Sequence, residues 1–117
     1  MTALHDLAAT ELVAAFRSGA LSPVETTRAV LAHIAACEPQ LHATYALNPA
    51  AALAAAEASQ ARWLKNAPQG ALDGVPVMIK ENIATKGVPL PLGTAATELA
   101  AIPHDAHPPR ACAKPAR

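Results

Sequence analysis

The sequence predicts an α/β domain, with helices packed on part of a mixed sheet, on three observations. Two helix starts are spelled out as a capping residue followed by proline, Ser22-Pro23-Val24-Glu25 and Asn48-Pro49. The run Val75 to Ile79 is β-branched and aliphatic, is bounded by Gly74 and Asn82, and has the length of a buried strand. A second stretch, Leu41 to Leu47, alternates loosely and holds two strand formers, Thr44 and Tyr45.

Taken in order, Ala8 to Ser18 repeats Leu12, Val13 and Phe16 at helical spacing, and Gly19 follows as the residue that can turn the chain into positive φ. Ser22 then caps a second helix, with Pro23 at its first position and Glu25 completing a capping box. That helix is expected to run to about Cys37, with Thr27, Val30, Leu31 and Ile34 on one face and Pro39 ending it. After the Leu41–Leu47 strand, Asn48 caps an Ala-rich helix from Pro49 to about Lys65, strong by propensity and small enough for close packing. Residues 66–74, with Pro68, Gly70 and Gly74, read as the connection into the Val75–Ile79 strand. Past Thr97, Pro103, Pro108, Pro109 and Pro115 remove backbone donors at a density that no regular element tolerates.

Composition narrows the function classes. A chain of 117 residues supports one small domain with a core. Nine basic residues balance nine acidic ones, and only one Trp, one Tyr and one Phe are present, which argues against a nucleic-acid-binding face and for a small or neutral partner. Cys37 and Cys112 have no disulfide-framework spacing, so a reducing, cytoplasmic setting is expected. The N-terminus lacks a secretory pattern, and the apolar window Pro49–Ala61 is interrupted by Glu57, Ser59 and Gln60, so no membrane partner is expected. No phosphate loop, zinc knuckle or dinucleotide fingerprint occurs, and no cofactor is expected.

Lys80 is the residue that most suggests chemistry. It closes the apolar run with a charge, and it either follows the strand into solvent, the commoner case, or sits at its end over a pocket as a partly desolvated amine. Burial or neighbouring positive charge would let such an amine act as a base near neutral pH. Glu81 and Asn82 follow directly; Asn82 is read as ending the strand through a side-chain turn, and Thr85-Lys86-Gly87 as a further turn. The serines are Ser18, Ser22 and Ser59, before a helix-ending Gly, at a cap and within an Ala-rich helix, and none has the Gly-rich setting of a nucleophile. His104 and His107 have an H-x-x-H spacing but no third ligand at a fixed offset, so no metal site is expected.

The run Leu72-Asp73-Gly74-Val75-Pro76-Val77-Met78-Ile79-Lys80-Glu81-Asn82-Ile83, followed by Thr85-Lys86-Gly87-Val88-Pro89 and Leu92-Gly93-Thr94, resembles the first catalytic block of the amidase signature family. The resemblance implies an α/β/α sandwich, of which residues 1–97 would be the N-terminal part, with 98–117 an irregular tail that reads as shifted out of frame. It implies hydrolysis of a small-molecule carboxamide by a serine nucleophile, a second serine on a cis peptide and a proton-relaying lysine, and it places that last role on Lys80. The family carries both serines in a Gly/Ser-rich segment further downstream, which the 117 residues do not contain, so the chain alone is expected to be inactive. Where the family commonly has two threonines, this chain has Leu90 and Pro91. Two other readings accompany this one: the amidase subunit of a tRNA-dependent amidotransferase, and a non-enzymatic helical interaction module or pseudogene product. A complementing chain, or self-association through an exposed sheet edge, would then be the partner.

Overall fold

The computed structural model describes residues 2–96 and 98–106. They divide into two compact units, one running to Pro76 and one beginning at Val77.

The first unit is helical. A single 3-10 turn, Leu4–Asp6, precedes α1 (Ala9–Ser18), α2 (Pro23–Leu41) and α3 (Pro49–Leu64). Each helix boundary has a local cause. Gly19 ends α1 in the left-handed region at φ 76° and returns its N–H to the carbonyls of Ala15 and Phe16. At the start of α2 the Ser22 hydroxyl accepts from the Glu25 N–H at 3.1 Å while the Glu25 carboxylate accepts from the Ser22 N–H at 2.9 Å, the reciprocal box that the sequence spells out. Asn48 caps α3 by accepting from the Ala51 N–H at 3.0 Å. The core is small: Leu12 and Phe16 of α1, Val24 of α2 and Ala56 of α3 are buried, and Phe16 meets Trp63 with ring centroids 6.2 Å apart. The buried polar residues of these helices are small, Thr26 and Thr27 in α2 and Ser59 in α3, and α2 and α3 pack on each other.

The α/β expectation does not hold: the described residues form helices and no strand or sheet. At Leu41–Leu47 the chain turns instead of extending. Helix α2 absorbs Pro39 and continues to Leu41, four residues beyond the expected end at Cys37; His42 then adopts φ 47°, and the Glu38 carboxylate accepts from the Thr44 N–H at 2.9 Å. Local propensity for a strand loses here to a helix C-terminus that supplies its own hydrogen bonds. The run Val75–Ile79 forms no strand despite its composition: it has no regular structure, and the backbone groups of Val77, Met78 and Ile79 make no hydrogen bonds among the described residues. Their side chains are 62%, 66% and 41% exposed. A strand exists only as part of a ladder, and Pro76 also removes one donor, so the apolar run stays unpaired.

The second unit is built from turns. The Ile83 N–H closes a turn onto the Lys80 carbonyl at 3.0 Å, and the Val88 N–H closes another onto Thr85 at 3.0 Å with Gly87 at φ 83°. Residues 84–89 are tied to 101–106 by Gly87 N–H to Ile102 O, Ile102 N–H to Val88 O and Ala106 N–H to Ala84 O. An isolated antiparallel bridge between Pro89 and Ala101 is the nearest approach to a ladder.

Candidate functional site

Asp73 is fixed within the helical unit by a clasp. Arg62, in the last turn of α3, grips Asp73 with both ends of its guanidinium, Nε to Oδ2 at 2.7 Å and Nη2 to Oδ1 at 2.6 Å. The Gln69 N–H donates to the same carboxylate at 2.9 Å, and the Trp63 indole N–H donates to the Asp73 carbonyl at 3.0 Å. Paired, planar charge-assisted bonds of this kind are the strong class. The Asp73 side chain is 5% exposed and that of Arg62 28%. The bond from Arg62 outweighs the cost of burial and holds the Asp73 carboxyl down to about 2, with help from the Gln69 N–H and the nearby Ser59 hydroxyl; Asp73 in turn raises Arg62. The Ser59 hydroxyl itself lies outside hydrogen-bond geometry to any described group.

Gly74 follows at φ 86°, pressed onto Pro23 at the start of α2 and Ser59 in α3. A Cβ built there would lie 2.6 Å from Ser59 Oγ and 2.7 Å from Pro23 Cγ. Glycine is required twice over, for its backbone and for its lack of a side chain. The sequence pointed to 66–74 only as a connection. An Asp-Gly pair just before an apolar run, eleven residues after an Arg-Trp pair, was the available signal for the clasp.

In the second unit, Lys80 follows the apolar run and is exposed; its ammonium makes no hydrogen bond or ion pair with any described residue. The turn after it is closed by the backbone of Ile83 and not by the Asn82 side chain. Glu81 is half-buried, with Oε2 enclosed and without a hydrogen-bond partner among the described residues. Asp105 accepts from the Lys86 N–H at 2.7 Å and Thr85 Oγ1 donates to the Ile83 carbonyl at 3.3 Å, so both serve the turns. The serines act within the helical unit: Ser22 caps α2, Ser18 donates to the Ala15 carbonyl at 3.1 Å and Ser59 is buried. His104 is exposed, while His107 lies outside the described residues. Among the described residues no group of three or more His, Cys, Asp or Glu could hold a metal ion, and no helix is long and apolar enough to cross a membrane.

The clasp thus fixes the Asp73-Gly74 turn within the helical unit, and in the second unit Lys80 is exposed with no described residue paired to its ammonium. The Amidase family model matches residues 25–108, and the chain belongs to the amidase family. It is 46% identical over 94 residues to a glutamyl-tRNA(Gln) amidotransferase subunit of Chloroflexus aurantiacus (strain ATCC 29366 / DSM 635 / J-10-fl), covering 80% of this chain and 19% of that protein. The same amidotransferase subunit from Myxococcus xanthus is 42% identical over 103 residues, covering 88% of this chain and 21% of its own. The indoleacetamide hydrolase of Bradyrhizobium diazoefficiens is 40% identical over 98 residues, covering 84% and 19%. The chain thus spans about a fifth of the length of these relatives. No solved structure matches.

Proposed function

We propose that this chain supplies Lys80 as the proton relay of an amide-hydrolysing site whose serine nucleophile is not among Ser18, Ser22 and Ser59. The observation that carries the reading is the family match, which runs through Lys80, together with an ammonium that no described neighbour engages. In the reaction, a serine oxygen attacks the carboxamide carbon as its proton passes toward the Lys80 amine. The C–N bond then breaks, the leaving nitrogen takes a proton back, and water releases the acid from the acyl-serine. An exposed lysine is a poor base because water stabilises its charged form; the role therefore requires that Lys80 be covered by the serine-bearing part of the site. None of Ser18, Ser22 and Ser59 has the setting of that nucleophile, so these 117 residues alone are proposed to turn over no amide.

A small-molecule carboxamide is the proposed substrate, following the relative named indoleacetamide hydrolase. A second reading, one component of a glutamyl-tRNA(Gln) amidotransferase acting with partner subunits, is favoured by the higher identity to the Chloroflexus protein. One experiment tests the first directly. The matching segment of the Bradyrhizobium hydrolase is replaced by residues of this chain and indoleacetamide turnover is measured. Retained turnover supports the reading, and a soluble, folded chimera without turnover overturns it. The same exchange into the Chloroflexus protein, giving activity there and none in the hydrolase, would select the second.

A further inference from the structure

The 3-10 turn Leu4–Asp6 contains no buried residue, yet it rests on α2. Its most specific contact is between imidazoles: the rings of His5 and His33 stack with centroids 3.8 Å apart and planes inclined by 12°. Both residues lie at the surface, within reach of protons. We propose that His5 and His33 form a pH-sensitive latch that holds the N-terminal turn on α2 when at most one ring is charged and releases it when both are.

The groups around the pair set this behaviour. His5 Nε2 lies 3.8 Å from Asp6 Oδ1 on its own turn, so a first positive charge on His5 has a carboxylate beside it and a neutral ring below it. His33 has no such compensation. Its Nε2 lies 3.7 Å from the Cys37 thiol, one helical turn along α2, and no other charged side chain pairs with either ring among the described residues. A second proton therefore places two like charges 3.8 Å apart with one carboxylate to share. Undocking separates them, and no residue of the turn is fully buried against α2 to oppose the repulsion. Histidine is the side chain whose charge can change near physiological pH, which makes this stacked pair the candidate for such a release. At this separation and in a water-like dielectric, the ratio of docked to released turn drops about five- to tenfold, and less at high salt.

Amide hydrogen exchange on the whole chain, corrected for the intrinsic pH dependence of exchange, reads the latch through the Asp6 N–H, which is bonded to the Ala3 carbonyl at 3.0 Å when the turn is formed. At pH 8 protection is expected at the Asp6 N–H; at pH 5 it falls about five- to tenfold, and 0.5 M salt restores part of it. The variants His33→Phe and His5→Phe keep a stacked ring without its charge, and at least one of them should stay docked at both pH values. Equal protection at pH 8 and pH 5 in the natural chain would overturn the latch. So would an unchanged pH response in both variants, or loss of docking at pH 8 in both.

Discussion

Replacing Gly74 with alanine introduces two separate costs that the structure allows to be separated. The backbone at φ 86° is one that an L side chain adopts at about 1–2 kcal/mol. The new Cβ also meets Ser59 Oγ at 2.6 Å and the Pro23 ring at 2.7 and 3.0 Å. The Pro23 ring is buried at the first position of α2 and cannot swing away, so overpacking adds about 1–3 kcal/mol. Together the loss is about 2–5 kcal/mol, a large share of the stability of a small helical unit. Gly19→Ala supplies the control: it has φ 76° in the same unit but nothing within 4 Å of its Cβ position, so only the backbone cost of about 1–2 kcal/mol applies. Urea unfolding followed by helical circular dichroism and by the fluorescence of the single tryptophan, Trp63, gives both values. Adding Ser59→Ala to Gly74→Ala should recover part of the difference by removing the closest atom. If Gly74→Ala costs no more than Gly19→Ala, the close approach of Gly74 to Pro23 and Ser59 is refuted.

Three further outcomes are expected. Asp73 is held from an ordinary 3.8 down to about 2, so its contribution is complete above pH 3.8 and is lost as pH falls through 2. The lowering corresponds to about 2 kcal/mol, or about 1 kcal/mol after allowing for the water around Arg62. Acid titration of Asp73→Asn should show a flatter stability profile between pH 4 and 2 than the natural chain. Ser22→Ala should lower stability by about 1 kcal/mol through loss of the cap on α2, read as a shift in urea midpoint at constant slope. Phe16→Ala removes a ring that is 4% exposed and packs against Trp63, and about 3–5 kcal/mol should go with it, enough to abolish a cooperative transition.

The helices were legible because their signals are short-range. Ser22, Glu25, Asn48 and Gly19 each act on backbone groups within a few residues, and every one of those bonds is present. The sheet was not, for the opposite reason. Val75–Ile79 carries strand composition, but pairing depends on a partner that no described residue provides, and a run of apolar side chains is left facing water. At Leu41–Leu47 the reading failed on detail: Glu38, three residues before the helix ends, reaches forward to Thr44 and bends the chain that Thr44 and Tyr45 would otherwise extend. At the candidate site the family resemblance singles out Lys80, which the structure leaves exposed with no described residue paired to its ammonium. The Arg62–Asp73 clasp was not, since it joins residues eleven apart through a loop whose path no periodicity encodes.

The most direct test of Lys80 as the proton relay is the Lys80→Ala variant of the hydrolase chimera carrying this segment. Because Lys80 is exposed and pairs with no described residue, the substitution should leave the chain's own melting within about 0.5 kcal/mol. Removing a positioned acid–base group should lower indoleacetamide turnover by about 10²–10⁴-fold in the folded chimera. Turnover that stays within tenfold of the unsubstituted chimera would contradict the account.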